Sequence, residues 1–137
     1  TGVQLELGSV ATPFEHRSYG DELARCQRYL CVVANSDTED TYIGGAWFYN
    51  NTYLLMDVHH KVPMRAAPTL ESSSLSNSMY VWISNGSHSF SNFVVNTQNK
   101  FNSVIRNTTE MTHTGGTAGG VYHRNGYDVK VFLTAEL

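Results

Sequence analysis

Tyr42, Trp47, Tyr49, Tyr53, Tyr80, Trp82, Tyr122 and Tyr127 carry the most legible chemistry in this chain. An aromatic face stacks on the C–H patches of a sugar ring, while Asn, Asp and hydroxyl groups take the sugar hydroxyls. That is recognition by an apolar platform with a few directed polar groups. The same rings can instead fill the core of a β-sandwich. Alternation separates the two uses, because successive strand residues point to opposite faces. Tyr80 and Trp82 share one face and Val81 and Ile83 the other, and the aliphatic face is the core side. Trp47 and Tyr49 likewise share a face opposite Ala46 and Phe48. Trp47, Tyr49, Tyr80, Trp82 and Tyr122 are therefore the candidate ligand-binding residues.

Other reactive side chains are present without a pattern that supports catalysis. His16, His59, His60, His88, His113 and His123 are scattered. The adjacent pair His59–His60 would point to opposite faces of a strand and cannot grip one metal from there. His113 reads as a surface residue between Thr112 and Thr114. No Gly-x-Ser-x-Gly elbow, HExxH helix or paired carboxylates on one strand occur, so no enzyme, metal or cofactor is expected. Gly115–Gly120 lacks the lysine and strand-to-helix setting of a phosphate loop, and reads as a flexible loop or bulged turn. Asn50, Asn85 and Asn107 begin glycosylation sequons, which would matter only in a secreted eukaryotic protein.

The elements that must position these residues are mostly strands. Tyr42–Tyr49 and Thr52–Val58 flank Asn50–Asn51, and Met79–Ser84 and Phe90–Asn96 flank Asn85–Gly86, a strong hairpin signal. Arg65–Glu71, Phe101–Arg106, a short piece around Gly120–Tyr122 and Tyr127–Thr134 bring the count to about eight, which argues for a β-sandwich of jelly-roll type. Before them, Ser18 or Asp21 can cap a short helix with Leu23, Cys26, Gln27 and Leu30 at helical spacing. Val3, Leu5 and Leu7 alternate with Gln4 and Glu6 as in a strand. With so little chain before it, that strand would join a sheet made elsewhere. Residues 1–18 thus read as strand and extended junction, and residues 19–137 as helix plus sandwich.

Composition narrows the class. At 137 residues the chain suits one domain with its own core, and its charged share of 15% is low. A formal charge of −3 argues against nucleic acid or an anionic membrane as partner, and no apolar run approaches a membrane span. Cys26 and Cys31 read as two buried free thiols. Asn35–Asp40 reads as a solvated acidic loop without the spacing of an EF-hand.

From Gly2 to Tyr29 the sequence, with LELGSVATPFEHRSYGDELARCQRY at its heart, resembles a junction segment of bacteriophage tail-fibre and other virion-surface proteins. Pro63–Thr69, PMRAAPT, is similar to a strand found downstream in the same proteins, and Ala135–Glu136–Leu137 to their usual C-terminus. The resemblance implies a module on the virion surface, assembled as a homotrimer with the helix and first strand near the symmetry axis. In that arrangement Tyr19, Leu23, Cys26 and Leu30 bury against a partner or the sandwich, and Arg65 makes an ion pair or interface contact. The partners implied are other virion proteins and a host-surface polysaccharide. Attachment to glycan is the first reading and a purely structural capsid or tail adaptor the second. A secreted carbohydrate-binding module is the third. Polysaccharide depolymerases also occur among such fibres, but they use a larger scaffold than this.

Overall fold

Ser18 accepts a hydrogen bond from the Asp21 amide 3.1 Å away and so caps helix α1, Tyr19–Gln27. Asp21 and Glu22 in its first turn and Arg25 in its last complement the helix dipole. The helix buries none of its residues. Short turns from Arg28 to Arg25 and from Tyr29 to Cys26 close it, and the chain enters a strand at Leu30. The computed structural model describes residues 7–10, 12–13, 16–36, 40–73, 75, 78–84, 86–108 and 110–136. The expected strand at Val3–Leu7 and the acidic stretch 37–39 lie outside them, Leu7 excepted.

Among the described residues ten strands follow: β1 Leu30–Ser36, β2 Thr41–Phe48, β3 Tyr53–His59, β4 Thr69–Ser72, β5 Met79–Ile83, β6 Gly86–Phe90, β7 Val94–Gln98, β8 Asn102–Thr108, β9 Ala118–His123 and β10 Val129–Thr134. They form two antiparallel sheets, a large one in the order β6-β5-β9-β2-β3-β8-β7 and a small one in the order β1-β10-β4. The chain is thus mainly β and sandwich-like, with one short helix among the described residues, as expected. One cluster of apolar side chains joins the sheets. Phe48, Leu54, Met56, Val81, Ile105 and Val121 come from the large sheet, and Val129, Val131 and Leu133 from the small one. No helix among the described residues is long and apolar enough to cross a membrane.

Several local expectations need correction. β1 was not anticipated: Leu30 continues the helical spacing in sequence, yet it pairs with Thr134 in a strand. Cys26 is exposed and Cys31 half-buried, so these free thiols are not two core residues. Burial pushes the Cys31 thiol pKa up, with Lys61 pulling the other way. The partner of β5 is the polar run Gly86–Phe90, with Ile83 opposite Gly86, and not Phe90–Asn96. Gly86 has φ of +130°, which glycine alone adopts readily, and this permits so tight a return. Val94–Gln98 instead lies at the far edge beside β8. The strand after Pro63 is confined to Thr69–Ser72.

Gly115–Gly120 is not one loop. Its second half enters β9, between β5 and β2 inside the large sheet. A β-carbon at Gly119 would overlap the Trp82 carbonyl oxygen, so glycine is what lets β9 lie this close to β5.

Candidate functional site

Register places the aromatic residues on the outer face of the large sheet, away from the core cluster. Ser89 of β6 pairs with Tyr80 of β5, Tyr80 with Tyr122 of β9, and Tyr122 with Tyr42 of β2. The parallel row beside it runs Ser87, Trp82, Gly120, Gly45. A third row runs Ala118, Trp47, Leu55, Arg106, Val94 across β9, β2, β3, β8 and β7. The side chains one residue along, Val81, Ile83, Ala46, Phe48 and Val121, are all in the core. Alternation therefore places Trp47, Tyr80 and Trp82 as expected, and β9 adds Tyr122 between them.

The three tyrosine rings pack together, with Trp82 and Trp47 on the same face. Tyr80 and Tyr122 stack with centroids 5.4 Å apart and planes 11° from parallel, and Tyr42 meets Tyr122 edge-on at 5.3 Å. A β-carbon at Gly120 would come within 2.8 Å of Tyr122 and 3.1 Å of Tyr42, so these rings tile the floor above the glycine. Trp82 and Tyr42 each keep 58% of their surface exposed, and Trp47 keeps 37%. Tyr49, 71% exposed, stands at the turn after β2, where its amide bonds the Tyr53 carbonyl. It is the one candidate that the ladder does not hold in the patch.

Two arginines sit over tyrosine rings at either side. The Arg124 guanidinium is 5.6 Å from the Tyr80 ring centre and donates to the Ser89 hydroxyl at 2.9 Å. The Arg106 guanidinium is 5.0 Å from the centre of Tyr53, and its buried Nε has no hydrogen-bond partner. Asp57, two residues from Leu55 on the same face, pairs with His59 at 3.3 Å. Burial raises the Tyr80 pKa, with Asp40 and Tyr122 adding to it and Arg124 opposing, which keeps that phenol a neutral donor and acceptor. The face can offer apolar ring area, hydroxyls and guanidinium N–H groups to one ligand. Sequence reasoning missed the roles of Tyr42, Arg106 and Arg124.

The remaining candidates lie elsewhere. Leu23, Cys26 and Leu30 line one hollow of about 210 Å³ with Cys31, Val32 and Lys61. Tyr19 is exposed at the start of the helix. Arg65 is apart from the hollow: its guanidinium stacks on Tyr29 at 5.6 Å, and no ion pair joins it to a described residue. His60 has left the strand and bonds the Lys100 carbonyl and the Ser103 hydroxyl, both at 3.1 Å. His113 is half-buried, not on the surface, with its ring 5.1 Å from Phe48 and 4.6 Å from His88. Asn107 is wholly buried and donates to the Asn92 carbonyl, so its sequon is inaccessible in the folded chain. Among the described residues no group of three or more His, Cys, Asp or Glu could hold a metal.

Comparison with known proteins finds no matching family model, curated protein or solved structure.

Proposed function

We propose that this chain is an attachment module that binds a cell-surface glycan on the outer face of its seven-stranded sheet. The observation that carries this reading is the aromatic surface of Trp82, Tyr80, Tyr122, Tyr42 and Trp47, built from three adjacent strands, with Trp82, Tyr42 and Trp47 exposed among the described residues. A row of tyrosines offers faces and hydroxyls at once, which suits a saccharide better than a purely apolar ligand. The setting, the virion surface of a bacteriophage in a tail-fibre-like protein, rests on the resemblance carried by Gly2–Tyr29 and Pro63–Thr69. In that setting the glycan belongs to the host surface, and the role is binding without catalysis.

The assembly proposed is a homotrimer joined through the helix. Leu23 and Leu30 are each 41% exposed and Val32 54%, side by side around a hollow that no other described residue fills. That surface also favours a second reading, a structural adaptor that docks other virion proteins there and binds no glycan.

The test is a glycan array probed with the full chain and with Trp82→Ala. Binding of the wild-type chain that the variant loses supports attachment. An assembled wild-type chain that binds no glycan leaves the adaptor reading.

A further inference from the structure

The chain as a whole is acidic, with a formal charge of −3, yet its positive charge is unevenly placed. Of nine Lys and Arg residues, Arg17, Arg25, Arg28, Arg65 and Lys100 line a single open cleft of about 800 Å³. It lies where helix α1, the Val62–Arg65 segment of the β3–β4 connection and the β7–β8 turn meet. The backbone there is tied together. The Arg65 amide donates to the Arg28 carbonyl at 2.8 Å, and the Met64 amide to the Lys100 carbonyl at 2.7 Å. Three residues that carry cations are thereby held around one space, and the Arg65 guanidinium is further steadied on the Tyr29 ring.

The described carboxylates nearby do not neutralise them. Glu22 is taken by Arg17 at 2.7 Å, and Asp21, the one described carboxylate lining the cleft, accepts from the Ser18 hydroxyl at 2.7 Å. Arg25, Arg28, Arg65 and Lys100 form no salt bridge with a described residue. Cations gathered in a concavity repel one another, and the field they share is relieved by an anion that touches several at once. Guanidinium forks match the paired oxygens of phosphate and sulfate, and an ammonium adds a point charge. The concave shape and limited volume suit a compact, multiply charged ligand better than the length of a nucleic-acid strand.

We propose that this cleft binds a multiply charged oxyanion ligand of the phosphate or sulfate class, held by Arg25, Arg28, Arg65 and Lys100. The site is independent of the aromatic face and shares no residue with it.

The test is isothermal titration calorimetry of the full chain with inositol hexakisphosphate and, separately, inositol hexasulfate, at about 50 and about 200 mM NaCl. One saturable site per chain that weakens with salt is expected. Arg25→Gln combined with Arg65→Gln should weaken it at least about tenfold, the scale of a lost charge-assisted contact. Trp82→Ala should leave it unchanged. Arg28→Gln provides the same reading should the double variant melt early. Binding of either probe on these terms supports the site and tells which oxyanion it prefers. Absence of saturable binding would overturn it, as would affinity indifferent to the arginine variants. So would several probe molecules bound per chain, or tighter binding of single-stranded DNA than of both probes.

Discussion

Gly120 lies two residues before Tyr122 on the same face of β9, and the Tyr122 ring folds back over it to within 2.8 Å of where a β-carbon would be. Tyr42 reaches the same place from β2. The missing side chain thus makes room for the aromatic floor, a pairing that repays the flexibility of a strand glycine with ring contact. Gly119, its neighbour, serves a different need, because a β-carbon there would strike the Trp82 backbone. Gly120→Ala should therefore cost only about 1 kcal/mol, since two ring ends can swing aside, but it should weaken glycan binding. Gly119→Ala should cost at least about 3 kcal/mol, since backbone must move. Denaturant unfolding of both variants would show the contrast, and equal costs would contradict this account.

Trp82 and Trp47 contribute little to the core, since both project from the outer face. Trp82→Ala should cost about 1–2 kcal/mol, and Trp47→Ala, whose ring keeps only 37% of its surface exposed, about 2–3 kcal/mol, from the part of each ring that packs on the sheet. Loss of one stacked ring should still reduce glycan affinity by about tenfold or more. Thermal melts beside array binding separate the two effects. A fall in melting temperature for Trp82→Ala well beyond that cost would mean that its ring is structural.

What the sequence allowed here, and what it hid, follows from the range of each signal. The Tyr80–Ile83 and Ala46–Phe48 alternations are local, and they placed the tryptophans and the core correctly. Tyr42 defeats the same rule. It has the parity of Ala46 and Phe48, but the register shifts between Tyr42 and Gly44, and the irregularity turns its ring outward. β9 sits between β5 and β2 although its residues lie some way along the chain from both, and no local pattern encodes that adjacency. The polar run Gly86–Phe90 is short of strand-forming side chains, and its pairing with β5 makes it an edge strand. The basic cleft was equally hidden. Arg25, Arg65 and Lys100 are distant in sequence, and net charge averages them away.

Leu23→Glu tests the proposed assembly. The side chain is exposed in the single chain and lines the hollow, so a charge there costs the isolated fold little, about 0.5 kcal/mol or less. Buried against a partner, the same charge would be costly. Light scattering should show an oligomer for the wild-type chain and a monomer for the variant, at similar melting temperatures. Cys26 gives an independent reading from the same hollow. Its thiol should react with iodoacetamide faster in the variant than in the assembled wild-type chain. An intact oligomer of Leu23→Glu would remove the helix from the interface.

Glu110 gives the fold a dependence on acid. Burial alone would raise its pKa, but the Ser91 hydroxyl and amide, the Asn107 amide group and the Asn92 backbone all donate to it, and the net result is a pKa below the ordinary 4.5. A carboxyl whose pKa is depressed on folding adds stability that is complete above the unfolded value, and loses it as pH falls through the folded value. Glu110 is exposed to solvent, which limits the contribution to about 1 kcal/mol or less. Glu110→Gln should therefore melt a few degrees below the wild-type chain at pH 7, and the gap should close as both are taken well below pH 4.5. The carboxylate links the segment after β6 to the end of β8, so its protonation should first loosen the loop around Ser91 and Asn92. Hydrogen exchange at the Ser91 amide, which Glu110 accepts at 2.8 Å, would report this directly. A melting gap that stayed constant from neutral to acid pH would show that the contact works through shape alone, without its charge.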